Sequence, residues 1–140
     1  DIKESLVLKA LPVCNPFVKC EPEQAGKLTM DGRAVFQFST QTIVPALDKV
    51  LEGTGYTYDD IKLIIPHQAN VRLIDYASSK NEKLKGKFYM NVDRYGNTSA
   101  GSVAIALSEV RQKKLVEAGD LVLLIGFGGG FTWGSLLIKI

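Results

Sequence analysis

Cysteine, histidine, tryptophan and unbalanced charge are all scarce in this chain of 140 residues. The two cysteines, Cys14 and Cys20, provide neither a disulfide framework nor the spacing of a metal site. Lys and Arg total 17 against 15 Asp and Glu; this net charge of +2 argues against nucleic-acid binding but leaves open a local basic patch for an acidic partner. No apolar run reaches the ~18–20 residues that span a bilayer, and no signal peptide opens the chain. These absences favour a reducing, cytoplasmic setting without a membrane.

The rest of the composition is that of a folded domain. Hydrophobic residues make up 46% and charged residues 23% of the chain, proportions typical of a globular protein. A single unit over residues 1–140 is the expectation for this length. Within it, residues 1–28 are expected to form a leading strand and then an irregular segment rich in turn signals.

Strand and helix signals alternate along the chain. A first helix begins after residue 28 with Thr29 or Asp31 as its cap and ends at Gly53, and Pro45 should kink or break it. A second helix runs to about residue 80, and a third starts near residue 98 and is closed by Gly119. Apolar runs predict strands at residues 5–11, 61–65, 88–92, 121–125 and 132–140.

This order, β-α-β-α-β-α-β-β, predicts an α/β fold with a five-stranded mixed sheet and helices on both faces. The strand at residues 121–125 is apolar throughout, which suits the middle of a covered sheet. A short glycine-rich loop follows it, so the last two strands should pair antiparallel.

Three loops are predicted to meet at one edge of this sheet. His67, the only histidine, follows the apolar run that ends at Pro66. Asn97 lies 30 residues further on, and the glycine loop begins at Gly126, another 29 residues along. Each follows a predicted strand, and equivalent loops of a parallel sheet lie along the same edge, where open α/β sheets bind ligands. The spacing therefore predicts one site that contains His67, Asn97 and the backbone of residues 126–130.

A neutral imidazole and a carboxamide side by side can donate two hydrogen bonds to a developing oxyanion or enolate. Burial and a nearby helix N-terminus favour the neutral imidazole. A nucleophile is harder to find. A cysteine-hydrolase arrangement of Cys20, His67 and Asn97 is one alternative, but Cys20 lies in an irregular segment beside proline, without a helix N-terminus to lower its pKa.

Three motifs carry a resemblance to a known family. They are the Pro-His-Gln-Ala-Asn-x-Arg run of residues 66–72, the Gly-Asn-Thr-Ser-Ala run of residues 96–100, and the Gly-Phe-Gly-Gly-Gly-Phe-Thr-Trp-Gly run of residues 126–134. In this order and spacing they resemble the C-terminal half of β-ketoacyl-acyl carrier protein synthase III, a member of the thiolase superfamily. The resemblance extends from about residue 29 to residue 140.

The resemblance implies a thiolase fold of two similar α/β halves. It implies condensation of an acyl-CoA primer, usually acetyl-CoA in this family, with malonyl-acyl carrier protein, which initiates fatty-acid synthesis with loss of CO₂. By this resemblance His67 and Asn97 hold the malonyl thioester oxygen and stabilise the enolate. The acyl group is carried by a cysteine of the N-terminal half, which is absent here, and neither Cys14 nor Cys20 matches that nucleophile.

Other positions are assigned by the same resemblance. Asn70 and Arg72 match residues that line the channel for CoA and the carrier protein. Gly32 matches a backbone position near the pantetheine arm, and Phe36 matches a ring that packs near the histidine. Gly129 matches a backbone N–H that stabilises the acyl-transfer oxyanion.

The implied partners are acyl carrier protein, acyl-CoA and the N-terminal half, with a homodimer as the full enzyme and no separate cofactor or metal. The 140 residues alone are expected to be inactive and to self-associate through an apolar face. Two alternatives stay open: a thiolase-fold starter enzyme of polyketide or secondary metabolism, and a non-catalytic structural half that pairs with another chain.

Overall fold

The computed structural model describes residues 5–8 and 28–140. Five strands lie in this part of the chain, and both cysteines and the rest of the predicted first strand lie outside it. The strands are β1 (Leu6–Leu8), β2 (Leu28–Met30), β3 (Ile61–Pro66), β4 (Leu121–Gly128) and β5 (Thr132–Lys139). The helices are α1 (Gly32–Leu51), α2 (Val71–Ser79), α3 (Val92–Tyr95) and α4 (Gly101–Gln112).

The central sheet of the described chain has three strands in the order β3-β4-β5, while β1 and β2 form a separate antiparallel pair. β3 runs parallel to β4, and β4 pairs antiparallel with β5 from Leu121↔Lys139 to Gly128↔Thr132. The antiparallel closing pair is thus confirmed, and so is the mixed α/β class. The five-stranded sheet is not confirmed. The first predicted strand pairs with β2 instead of joining the central sheet, and the strand predicted at residues 88–92 does not form.

The missing strand is the one predicted at residues 88–92. This segment makes a single parallel bridge, Ile64↔Phe88. Beyond it, the backbone N–H groups of Asn91 and Val92 donate to the side-chain oxygen of buried Gln68 instead of to a strand. The chain then turns into the short helix α3. A side-chain acceptor from a distant loop therefore replaces the strand ladder here.

Helix α1 begins at the predicted cap. Asp31 Oδ1 accepts from the backbone N–H groups of Arg33 and Ala34, both at 3.0 Å, so Asp31 is the N-cap residue. Pro45 was predicted to kink the helix or to break it; the kink stays a prediction, and the break is wrong, because the helix continues through Pro45 to Leu51. Its neighbours Ile43, Ala46 and Leu47 are fully buried. Their packing outweighs a helix-interior proline, which costs ~3 kcal/mol.

Helices cover both faces of the sheet, as the strand order predicted. Residues alternate along β4: Leu123 and Ile125 pack with α1 and α2, whereas Val122 packs with Ala106 and Val110 of α4. The middle strand is therefore buried on both sides. Within the described ranges, no helix combines the length and apolar character needed to cross a bilayer.

Helix α4 ends earlier than predicted. It stops at Gln112, and Lys114 takes a left-handed backbone conformation with φ 54°. The Leu115 N–H then donates to Val110 O at 3.0 Å, as expected for a helix C-terminus. Gly119, the predicted terminator, instead lies in the turn before β4, where its N–H donates to Ile140 O.

Candidate functional site

A cavity of about 830 Å³ opens where β3 and β4 end. The loop after β3, the end of β4, the start of α1 and the segment before α4 all line it. Six of the seven residues singled out in the sequence line this cavity: Gly32, Phe36, His67, Asn70, Asn97 and Gly129. Arg72 does not. The edge position predicted from strand order is therefore where the structure has its large cavity.

His67 is held by the end of the sheet on one side and by α4 on the other. Its backbone N–H donates to Ile125 O of β4 at 2.7 Å, which extends the β3–β4 ladder by one residue. Its ring Nδ1 lies 2.6 Å from Ser102 Oγ. The Phe127 ring packs edge-on against the imidazole, with centroids 5.4 Å apart. Burial lowers the pKa of His67 below its ordinary value, so the imidazole is neutral at neutral pH.

Asn97 follows α3 and Gly96, whose φ of 67° turns the chain. Its Oδ1 accepts from the Ser99 N–H at 3.0 Å, and Ser99 itself takes a positive φ of 51°. Because the oxygen is occupied locally, the NH₂ group is the end of the carboxamide that is left to serve the cavity. Asn97 is exposed, so the cavity is open on this side.

Gly129 begins the tight turn between β4 and β5. The Thr132 hydroxyl donates to Gly129 O at 3.0 Å, and Gly130 adopts φ 68°, which favours glycine. Phe131 has φ 53°, and its ring stacks on Phe38 of α1 with centroids 4.6 Å apart. This stacking holds the turn against the helix and fixes the backbone beside the cavity.

The remaining predicted positions differ in their surroundings. Asn70 is the N-cap of α2, and its Oδ1 accepts from the Arg72 N–H at 2.9 Å. The Arg72 side chain is exposed on the first turn of α2, outside the cavity. Phe36 lines the cavity, but its ring packs edge-on against Tyr76, with ring centroids 6.2 Å apart. The ring that packs against His67 is that of Phe127. In the sequence, Phe127 stood out only as part of the glycine-rich run of residues 126–134.

Gln68 is a supporting residue that the sequence reasoning missed. It is 1% exposed, and its Nε2 donates to Pro66 O and Tyr89 O at 2.9 and 3.1 Å. Its Oε1 accepts from Asn91 N and Val92 N. Three of these four bonds, those to residues 89, 91 and 92, tie the His67 loop to the segment that leads to Asn97. A polar loop residue is ordinarily solvated, so nothing local in the sequence indicated this burial.

Glu109 of α4 is the second missed residue. Its carboxylate accepts from Lys113 Nζ at 2.7 Å and Asn91 Nδ2 at 2.8 Å, and it also pairs with Arg94. These partners, Lys113 first, lower its pKa to about 2. Since Asn91 and Arg94 belong to the segment before Asn97, Glu109 fastens that segment to α4.

Chemically, the cavity presents one neutral imidazole, one carboxamide and a glycine backbone. The Ser102 hydroxyl is hydrogen-bonded to Nδ1 of the imidazole, and the Ser99 backbone N–H donates to the oxygen of the carboxamide. Nε2 of His67 and Nδ2 of Asn97 are thus the atoms left for a ligand. No cluster of three or more metal-binding side chains occurs in residues 5–8 and 28–140. With Nε2 protonated, the neutral imidazole and the carboxamide NH₂ would offer two neutral donors to a ligand oxygen that gains negative charge.

Comparison with known proteins supports this description. A family model for the C-terminal part of 3-oxoacyl-[acyl-carrier-protein (ACP)] synthase III matches residues 51–140. The β-ketoacyl-[acyl-carrier-protein] synthase III of Clostridium novyi (strain NT) is 48% identical over 130 residues, which cover 93% of this chain and 40% of that protein. The chain therefore spans well under half the length of this curated relative.

Solved structures agree with the sequence comparison. The crystal structure of β-ketoacyl-[acyl carrier protein] synthase III from Thermus thermophilus matches with a TM-score of 0.82 and 35% identity, over 99% of this chain and 42% of that one. The priming β-ketosynthase of the R1128 polyketide biosynthetic pathway matches with a TM-score of 0.74 and 34% identity, over 85% of this chain and 37% of that one.

A mixed sheet covered on both faces, with its cavity at the strand ends, therefore makes this an α/β protein of thiolase-like fold. The chain belongs to the β-ketoacyl-[acyl-carrier-protein] synthase III family and corresponds to its C-terminal part. The resemblance carried by the three motifs is thereby confirmed. The roles of individual residues stay predictions.

Proposed function

We propose that this chain supplies the enolate-stabilising part of a decarboxylating condensing enzyme. The reaction joins an acyl-CoA primer, acetyl-CoA in the simplest case, to malonyl-acyl carrier protein and starts fatty-acid synthesis. The observation that carries the proposal is that His67 and Asn97 line one cavity and that, within the described residues, neither His67 Nε2 nor Asn97 Nδ2 has a hydrogen-bond partner on the protein. Membership in the family supports the reaction class.

In the proposed step, the malonyl thioester oxygen accepts hydrogen bonds from both donors. The bond between the carboxylate carbon and the α-carbon breaks, CO₂ leaves, and its bonding electrons become those of the enolate. Negative charge then rests on the thioester oxygen, where fixed donors in a partly desolvated site stabilise it without reorganisation. The α-carbon attacks the carbonyl carbon of an acyl-cysteine, which the described residues do not contain; the carbon–sulfur bond then breaks and the cysteine leaves as its thiolate.

Gly129 and Arg72 have supporting parts in this proposal. The N–H of Gly129 would stabilise the tetrahedral oxyanion of acyl transfer, because its turn borders the cavity. Arg72 is exposed at the start of α2, next to the cap residue Asn70 that lines the cavity. A cation at that place suits an acidic carrier protein and would act mainly on the rate of association.

The experiment uses a chimaera in which this chain replaces the matching 40% of the Clostridium novyi relative. Release of CO₂ from malonyl-acyl carrier protein is measured for the chimaera and for its His67→Ala and Asn97→Ala variants. We expect activity in the chimaera and a loss of ~10²-fold or more in each variant, as for other oxyanion donors. Arg33→Ala, an exposed change on α1, is the matched control and should keep full activity.

A chimaera that releases no CO₂, although its thermal unfolding transition shows that it is folded, would contradict the proposal. Variants that retain near-full activity would contradict the residue roles.

A second candidate is a starter enzyme of polyketide synthesis. The 34% identity to the R1128 priming β-ketosynthase favours it, since that structure shares the same fold over 85% of this chain. The decarboxylation step would be unchanged, and only the primer would differ. Competition between acetyl-CoA and longer acyl-CoA primers in the native full-length protein distinguishes the two, because preference for a longer primer favours the second.

A further inference from the structure

A buried hydroxyl group joins the imidazole of His67 to the backbone behind it. Ser102, in the first turn of α4, is 2% exposed. Its Oγ lies 2.6 Å from His67 Nδ1 and also accepts from the Gln68 N–H at 3.2 Å. In residues 5–8 and 28–140, these are the hydrogen-bond partners that Oγ has.

The positions of the protons follow from what each group can do. A backbone N–H only donates, so the bond from Gln68 uses a lone pair of Ser102 Oγ. The hydroxyl proton then needs an acceptor, and Nδ1 is the nearest one. If Nδ1 carried a proton instead, the hydroxyl would accept twice and its own proton would have no partner in a buried place, which is costly.

We propose that Ser102 is a positioning residue that fixes His67 as the Nε2–H tautomer, so that the ring presents a donor to the cavity. Its catalytic consequence rests on the proposed function; the tautomer itself does not. The opposite tautomer would turn a lone pair toward the thioester oxygen, which repels an enolate.

Packing and hydrogen bonds restrict the movement of both His67 and Ser102. Phe127 packs edge-on against the imidazole, and the His67 backbone is tied to Ile125 of β4. Gln68, which anchors Ser102 Oγ from the other side, is itself fixed by four hydrogen bonds of its side chain. The Gln68 N–H therefore orients the Ser102 hydroxyl. The direction of its O–H bond then determines which ring nitrogen of His67 carries the proton.

The direct test is ¹⁵N NMR of the full 140-residue chain labelled only at histidine. The chain has a single histidine, so one imidazole gives the whole signal. At a pH where the ring is neutral, we expect Nε2 to show the shift of a protonated ring nitrogen and Nδ1 that of an unprotonated one. In Ser102→Ala, the two shifts should move toward each other as the tautomers mix, while Ser102→Thr should retain the original pair.

Ser39→Ala is the matched control. Ser39 is also fully buried on a helix, but its hydroxyl donates to Val35 O within α1. It should leave both nitrogen shifts unchanged. Thermal transitions of all variants show which are folded, and a merely structural role for Ser102 would alter the transition without altering the tautomer.

The kinetic consequence is measured in the chimaera. Ser102→Ala should lower kcat for CO₂ release roughly 2- to 10-fold with KM unchanged, the range expected for one hydrogen bond. Ser102→Thr should restore it.

Nitrogen shifts that are identical in the wild-type chain and in folded Ser102→Ala would overturn the proposal, as would an Nδ1–H tautomer in the wild-type chain. If the tautomer changes as expected but no chimaera releases CO₂, the proposed function fails and the role of Ser102 in setting the tautomer stands.

Discussion

His67 and Asn97 are prepared for a ligand in the same way. Each has one atom hydrogen-bonded to a neighbour on the protein: Oδ1 of Asn97 accepts from Ser99, and Nδ1 of His67, the acceptor in the proposed tautomer, pairs with Ser102. Each therefore keeps a donor for the cavity. The residue types and their spacing were visible in the sequence, but the two serines that orient them were not, since serines at the start of a helix ordinarily serve as caps.

Glu109 carries the clearest prediction of pH dependence. Its pKa falls from 4.5 to about 2, chiefly through the hydrogen bond from Lys113. A carboxyl with a depressed pKa contributes stability above its unfolded value, and this contribution is lost as the pH falls from 4.5 toward about 2. We therefore expect Glu109→Gln to lower the free energy of unfolding at neutral pH, with a difference from wild type that shrinks in acid.

Urea unfolding of the chain across this pH range measures the effect. Glu117→Gln, a change at an exposed position, is the control and should follow the wild-type curve. A Glu109→Gln difference that stays constant down to the acid limit would show that the ion pairs do not stabilise the fold.

At the scale of elements, the strand-helix alternation was enough to predict which edge of the sheet carries the site. The continuous apolar run of β4 predicts that this strand is covered on both faces, as the structure shows. The order of strands along the chain then places the loops after β3 and β4 side by side. It was not enough for residues 88–92. Their apolar side chains suit a strand, but the hydrogen bonds that decide their backbone come from Gln68, more than twenty residues earlier.

Gln68 should accordingly be important for the fold around the site. In Gln68→Ala, the N–H groups of Asn91 and Val92 lose their acceptor, and each unsatisfied buried group costs ~1–3 kcal/mol. We expect a loss of about 3 kcal/mol in the free energy of unfolding.

Gln112→Ala is the matched control for this change. Gln112 is exposed on α4, and in the part of the chain that the structure describes its side chain bonds only the exposed hydroxyl of Ser108. It should change stability by less than about 0.5 kcal/mol. Equal effects of the two substitutions in chemical denaturation would mean that the four bonds of Gln68 contribute nothing beyond an exposed amide.

For the whole molecule, the sequence predicted a chain without its own nucleophile. Neither cysteine matches the family's acyl-carrying cysteine, so the chain alone should not form an acyl-enzyme. After incubation with acetyl-CoA, intact mass spectrometry should find the chain unmodified. A stable acetyl adduct on the chain, removed by Cys20→Ser, would show that this expectation is wrong.

The sheet also ends on a strand with apolar side chains in solvent. In the three-stranded sheet of the described chain, β5 is an edge, and Leu136 and Trp133 on it are 55% and 43% exposed. Such an edge favours association with another chain. We expect the 140-residue chain to self-associate at micromolar concentration in light scattering, and Leu136→Lys to reduce this. A monomer at every concentration would contradict the expectation.

In the proposed function, one thioester oxygen accepts hydrogen bonds from both His67 and Asn97. The most direct measurement is a crystal structure of the chimaera with a malonyl-thioester analogue whose carboxylate is replaced by a sulfonate, so that no CO₂ can leave. We expect the thioester oxygen to lie within about 3.2 Å of both His67 Nε2 and Asn97 Nδ2. A thioester oxygen bound to neither atom, with the analogue seated in the same cavity, would contradict it.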